Sequence, residues 1–245
     1  MTETRKCLNR DVIKYIAIAA MFLNHVASIF ITANPYLRRI FLGVGNFTAI
    51  TMCYFLVEGY GYTRSKGKYL LRLLLFALVS QLPYSFAFSK PGTLQLVYFN
   101  ILFTLLLCFL ICLVMDKVEH PLWKTLLVMG ITACSVKCDW AFGAPVFTLL
   151  FIWSRDSDSN KKIAFAIPTV LYCIYTFIAC YGNMSTDICI LYTAVSTLSM
   201  AMSGICITCF YNGKRAEKGR NFSKWFFYIF YPAHLLVFAL IRHLS

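Results

Sequence analysis

Long apolar runs, broken by short polar or basic loops, repeat along the whole chain. Nine of them lie at roughly 12–33, 41–61, 70–89, 94–115, 122–136, 140–154, 163–180, 187–210 and 224–242. A helix needs about 20 apolar residues to cross the hydrocarbon of a bilayer, and shorter ones pass inside a bundle. Each run therefore predicts a helical span. The fifth and sixth are short and read equally as one broken hairpin, which sets the count at eight to ten. Pro35, Pro91, Pro121 and Gly182 punctuate the loops. Pro145, Pro168 and Pro232 fall inside runs, where bilayer helices tolerate them. The expected fold class is all-α: a polytopic transmembrane bundle of about nine helices, forming a single domain over residues 1–245, without repeats or low-complexity tracts.

Composition agrees. Of the 245 residues, 60% are hydrophobic and 13% charged, against about 25% charged in soluble domains. The start, "MTETRKCLNRDVIKY", is short and basic, and no small-residue cleavage site follows it. It reads as the lead into an uncleaved first span. A net charge of +13 on a soluble protein would point to nucleic acid. Here the basic residues sit in short loops, and no nucleic-acid partner is expected. Sixteen lie on the N-terminal side of the predicted topology and five on the other, with Lys14 and Arg72 just inside spans. By the positive-inside rule the protein sits in the cell membrane, in contact with its lipids, with the N-terminus cytoplasmic and the C-terminus outside. Eleven cysteines lie mostly within apolar runs such as "LLLCFLICLV". None has zinc-ligand spacing with histidine, so they are expected to be small buried hydrophobes, with no metal.

Ionisable side chains inside a bilayer are costly and mark function. Few occur: His25 in the first run, Glu58 at the end of the second, His234 in the ninth, with Asn24, Asn46 and Asn100 adding uncharged polarity. Lys14 and His25 are eleven residues apart, close to three helical turns. They share one face about 16 Å apart along the axis. Asp11 lies on the same edge, and Met21 between the two. A positive mouth leading to a deep imidazole suits a long anionic ligand entering from the cytoplasm. The plainer readings are a lysine snorkelling to the interface and a histidine bonded to a neighbouring helix. Glu58 is expected to pair with Lys14 or Arg72, and His234 to be a packing residue or a second catalytic group. The loop "EGYGYTRSKGKYLLRL" gathers Arg64, Lys66, Lys68 and Arg72. It carries orientation charge or grips phosphates, with Tyr60, Tyr62 or Tyr69 available to stack a purine.

"DVIKYIAIAAMFLNH" resembles the first helix of the type-3 membrane acyltransferases, with Asp11, Lys14 and His25 in the places of an acidic residue, an arginine and a histidine. Lysine for arginine keeps the charge and loses the fork. "MFLNH", "FLVEGYGYTRSKGKYLLRLLLFALVSQLPYSFA", "FNILFTLLL" and "NGKR…KWFFYIFYPAHLLVFALI" are similar in order and spacing to the TraX family, typified by a conjugative-plasmid protein that acetylates the N-terminus of pilin. The similarity covers the first half and last quarter of the chain. It places Glu58, Gly59, Tyr60 and His234 in the family pattern, with Asn24 where these sequences often have aspartate.

The resemblance implies an integral-membrane acetyltransferase with acetyl-CoA as cosubstrate and an envelope acceptor: pilin, a glycan or a peptide. His25 is then the base or transient acyl carrier, and Asn24, Asn100 or His234 polarises the thioester carbonyl or orients His25. Lys14, Arg64, Lys68 and Arg72 hold the CoA phosphates, and Glu58 steadies them. The competing readings are a proton-coupled transporter or flippase, which internal symmetry would favour, and a non-enzymatic pilus or envelope assembly factor.

Overall fold

The computed structural model describes residues 6–90, 93, 95 and 98–244. Among these residues ten α-helices follow one another: α1 (Arg10–Ile29), α2 (Pro35–Val44), α3 (Asn46–Tyr62), α4 (Lys66–Phe88), α5 (Ile101–Lys117), α6 (Pro121–Cys134), α7 (Gly143–Trp153), α8 (Asp158–Cys180), α9 (Thr186–Ile205) and α10 (Arg220–Leu244). The described residues contain isolated bridges and no sheet. Every expected span falls on helix. The second is α2 followed directly by α3, and the eighth is α9 extended by a π-helical turn, Cys206–Phe210. Among the described residues, six helical runs are long and apolar enough to cross a membrane: 10–29, 35–62, 66–88, 158–180, 186–210 and 221–244. Helices α5, α6 and α7 are shorter, at 17, 14 and 11 residues. Pro83 joins Pro168 and Pro232 inside a helix.

Local chemistry sets the helix starts. Asn9 caps α1 by accepting from Val12 N at 3.0 Å, and Asn34 caps α2 ahead of Pro35. The fourth span was expected from residue 94, yet α5 begins at Ile101. Asn100, fully buried, accepts from Leu102 N at 3.0 Å and stops the helix there. Hydropathy alone extends the run backwards because "LQLVYF" is apolar. Pro91, Leu94, Leu96, Val97 and Arg5 lie outside the described residues.

The contacts gather into two compact units interleaved in sequence: Met1–Met52 with Asp156–Ser223, and Cys53–Arg155 with Lys224–Ser245. In the first unit, α2 packs on α1 and α9, and α9 on α8. Small residues allow close approach, as in many membrane helix pairs. A Cβ on Gly43 would lie 2.9 Å from Val195 Cγ1. Ser199 Oγ donates to Val44 O at 2.8 Å and accepts from Phe47 N at 3.1 Å, and Thr51 and Ser203 share a hydrogen bond of 2.9 Å. In the second unit, α5 packs on α4, α6 and α7. Tyr228 of α10 stacks on Phe76 with ring centroids 4.6 Å apart, and Arg242 donates to Ala87 O at 2.8 Å.

Polarity runs opposite to that of a water-soluble protein. Leu82 is 65% exposed and Ile178 69%, while Thr51, Ser80, Thr104, Thr148 and Ser203 are completely buried. Such apolar outer faces fit lipid tails. Seven cysteines, Cys53, Cys108, Cys112, Cys138, Cys180, Cys189 and Cys206, are buried free thiols, as small hydrophobes would be.

Between α6 and α7 the chain pairs with the segment before α5: Phe99 N donates to Lys137 O and Asp139 N to Phe99 O, both at 2.8 Å. Burial pushes the Asp139 carboxyl up to about 6. A raised carboxyl favours the protonated form in the folded state, so its contribution is full below the ordinary value of about 4 and is lost as pH rises through about 6. Thermal unfolding in detergent should show the wild type losing stability across that window relative to Asp139→Asn. Parallel pH curves for the two proteins would remove the assignment.

Candidate functional site

In the first unit, α1 is one unbroken helix from its Asn9 cap, so the stripe Asp11–Lys14–Ile18–Met21–His25 is continuous. Asp11, Ile18 and His25 are buried, and Lys14 and Met21 half-buried. The head of the stripe has a structural duty: Asp11 Oδ2 accepts the backbone N–H of Ala216 at 2.7 Å. Leu8 and Asn212 also pair, as do Arg10 and Lys214, each through an N–H···O bond of 2.9 Å. The basic loop after Tyr211 is thereby fastened to the start of α1.

The deep end is fixed by Asn24. Its Nδ2 donates to Leu42 O at 3.0 Å, and Ser28 Oγ donates to Asn24 O at 2.9 Å. Gly45, at the junction of α2 and α3, lies directly against this side chain. A Cβ there would be 2.6 Å from Asn24 Cβ and 2.7 Å from Asn24 Cγ. Only glycine fits, and the turn of α1 that carries His25 is locked to the α2–α3 junction.

The remaining candidates belong to the second unit. Tyr60 is 3% exposed. Its hydroxyl donates to Asp116 Oδ2 at 2.8 Å, and one ring face meets Lys66 Nζ, 3.6 Å from the centroid. Phe109 takes an edge contact at 5.2 Å. The ring is thus covered on its own side of the fold and unavailable to stack a purine, whereas Tyr62 is exposed. The same hydroxyl holds the Asp116 carboxyl below the usual carboxylate range. Lys66 also donates to Tyr60 O, so it clamps the α3–α4 turn. Arg64 and Lys68 are exposed, and Glu58 and Arg72 half-buried. The Arg72 guanidinium lies 5.7 Å from the Tyr69 ring centroid and beside the Tyr228 hydroxyl.

Asn100 Nδ2 donates to Ala77 O and Gln81 Oε1, both at 2.9 Å, while Oδ1 caps α5. Both amide hydrogens are therefore committed to joining α4 and α5. His234 is buried among Phe230, Tyr231 and Phe238, with ring centroids at 4.9, 5.7 and 5.6 Å. Its Nδ1 lies 2.7 Å from Phe230 O. A carbonyl only accepts, so Nδ1 carries the proton and Nε2 is the basic nitrogen of the neutral ring. The Tyr60–Asp116 and Lys66–Tyr60 contacts escaped the sequence reading. Their partners are far apart in sequence or hidden within a run of like charges.

An all-α, multi-pass membrane protein with polar and ionisable groups inside its helices is what this fold and these residues define. Residues 9–242 match the family model described as TraX protein, and the chain belongs to the TraX family. It is also similar to the probable fimbrial assembly protein FimC, serogroup H1, of Dichelobacter nodosus, at 30% identity over 235 residues and 91% of each chain. The family match includes the stretch from about 115 to 210, where no motif was legible. No solved structure matches.

Proposed function

We propose that the protein is an integral-membrane acetyltransferase of the cell membrane, transferring acetyl from cytoplasmic acetyl-CoA to an amine or hydroxyl of an envelope substrate, with its N-terminus inside and its C-terminus outside. The observation that carries this reading is the buried His25 at the deep end of the α1 stripe that Lys14 opens. The order Asp11, Lys14, His25 also resembles the first helix of the type-3 membrane acyltransferases, with lysine in the place of their arginine. The name of the fimbrial assembly relative supports a pilus-linked acceptor.

In this reading His25 takes the proton of the acceptor as its nitrogen or oxygen attacks the thioester carbonyl. The new C–N or C–O bond forms, the C–S bond breaks, and the proton passes to the departing CoA thiolate. Asn24 holds the turn of α1 on which His25 sits. The exposed Arg64 and Lys68, with Arg72, serve the CoA phosphates, Glu58 steadies this group, and Lys14 adds charge at the mouth of its stripe. His234 is a second proton-handling group through Nε2, and Asn100 acts by fixing the start of α5. The relative's printed name also favours a second reading, a non-enzymatic assembly factor.

Binding of acetyl-CoA to the purified, detergent-solubilised protein separates the two. Saturable binding with slow thioester hydrolysis is expected, and Lys14→Ala should weaken binding about ten-fold, the loss of one charge-assisted contact. A folded wild type that binds no acetyl-CoA would leave the assembly role. Unchanged affinity in Lys14→Ala would remove Lys14 from the donor site.

A further inference from the structure

One end of the first unit, made of residues 6–14, 156–162 and 211–220, carries nine basic side chains against four acidic ones. Beside the start of α8 the charges meet. Lys161 Nζ lies 2.9 Å from Asp158 Oδ1, and Lys6 and Lys162 face the same carboxylate. The loop after Tyr211 is different. Lys214, Arg215 and Lys218 are exposed, and none of them has an ion pair among the described residues. The carboxylate that this loop does meet, Asp11, is buried and accepts the backbone N–H of Ala216.

The loop does not wave its charges in water. Leu8 N donates to Phe210 O, Asn212 N to Leu8 O and Arg10 N to Lys214 O, each at 2.9 Å. Asn212 Oδ1 accepts Lys214 N at 2.9 Å, and the far end is tied by a 3.1 Å hydrogen bond between the Ser223 and Tyr15 hydroxyls. Gly213 and Gly219 turn the chain at φ of +73° and +74°, where a side chain would be strained. Folding has therefore already met most of the cost of ordering this surface for a ligand. Its border is apolar. Phe210 and Phe222 flank the loop at 36 and 67% exposed, and Val12 and Ile16, one turn apart on α1, are 40 and 43% exposed. Side chains so open fit lipid tails, which puts the cations between Phe210 and Phe222 at the level of the headgroups.

We propose that the 211–219 loop is a binding site for the headgroup of an acidic phospholipid, with Arg215 forked on the phosphate and Lys214 and Lys218 supplying charge. Orientation charge needs only to lie on the correct side of the membrane. Here unpaired cations are held on a fixed loop between lipid-facing side chains, while those beside α8 are matched by Asp158. The binding stands apart from the acetyltransferase reading; only the choice of the cytoplasmic leaflet rests on the orientation proposed above.

The test uses the full-length protein in detergent, with dioleoyl phosphatidylglycerol and dioleoyl phosphatidylcholine as probes. Retained lipid is counted by native mass spectrometry, and Tm is followed as lipid is added. Lys214→Gln, Arg215→Gln and Lys218→Gln are expected to weaken phosphatidylglycerol binding about five-fold each and about 100-fold together, the worth of basic residues at an anionic surface. Lys6→Gln, Lys161→Gln and Lys162→Gln combined remove the same charge from the same end and should leave the affinity within about two-fold, because surface pairs already occupied contribute little. Lipid-free Tm should hold in the loop variants, whose lost groups are exposed and make no ion pair, and acetyl-CoA affinity should hold with it. Equal binding of the two lipids by the wild type overturns the site. Equal weakening by the two triple variants overturns it as well, leaving bulk charge alone. So does a loop triple variant that keeps phosphatidylglycerol but loses inorganic phosphate or acetyl-CoA, which would make the loop a site for a soluble phosphate. Lipid binding that the loop variants weaken, in a protein that binds no acetyl-CoA, keeps this site and removes the acetyltransferase reading.

Discussion

His25→Ala is expected to lower acetyl transfer by about 10²–10⁴-fold, the range for losing a positioned general base, while the protein still inserts and folds. The side chain is buried, so the replacement also costs stability, about 1–3 kcal/mol. Two readouts therefore belong together: transfer to acceptor, and acetyl-CoA affinity in the same folded sample. Affinity should survive, because the imidazole lies about three turns from Lys14 along α1. Transfer at the wild-type rate in a folded His25→Ala protein would take the base role from this residue and hand the question to His234.

Gly45→Ala should be the most damaging single methyl in the first unit. The added carbon falls within 2.6–2.7 Å of Asn24 Cβ and Cγ, atoms that cannot swing away as a flexible tip would. Relief requires α1 and the α2–α3 junction to part, or Asn24 to surrender its bond to Leu42 O. Overpacking costs about 1–3 kcal/mol and the lost hydrogen bond about 1 kcal/mol, so Tm should fall clearly. The turn bearing His25 shifts as well, and a 1 Å error in a catalytic group costs about 10²-fold. Asn24→Gly in the same chain removes the colliding atoms and should recover much of the stability, a non-additivity that a double-mutant cycle measures. A Gly45→Ala protein with wild-type Tm and transfer would show that this contact is not close.

The spans were legible because hydropathy is a sum over about 20 residues, which single polar positions barely disturb. Boundaries depend on single residues, and there the sequence misled. Asn100 stops α5 through a cap that no apolar count registers, and Gly45 with Asn46 divides one hydrophobic run into α2 and α3. The α1 stripe was legible from spacing alone, since an unbroken helix fixes which residues share a face. The covering of Tyr60 by Lys66 and Phe109 was not, because it depends on how α3, α4 and α5 meet. Least visible was the polar face of α9. Serine and threonine are nearly neutral on hydropathy scales, so Thr193, Ser196, Ser199 and Ser203 passed as ordinary span residues. Their three- and four-residue spacing was the available signal.

The two units are interleaved along the chain, and this bears on how the protein is made. The first is complete only when Ser223 has been synthesised, and the second only with the final helix. While the ribosome is still working, α1 to α3 have no α9 to pack against, and the hydroxyl of Thr51 waits in the membrane for its partner Ser203 while more than a hundred residues are added. Neither half of the gene encodes a unit that closes by itself. Early helices must therefore be sheltered by the insertion machinery or by lipid until late ones arrive, and a frameshift near the end would spoil a core whose other members were made first.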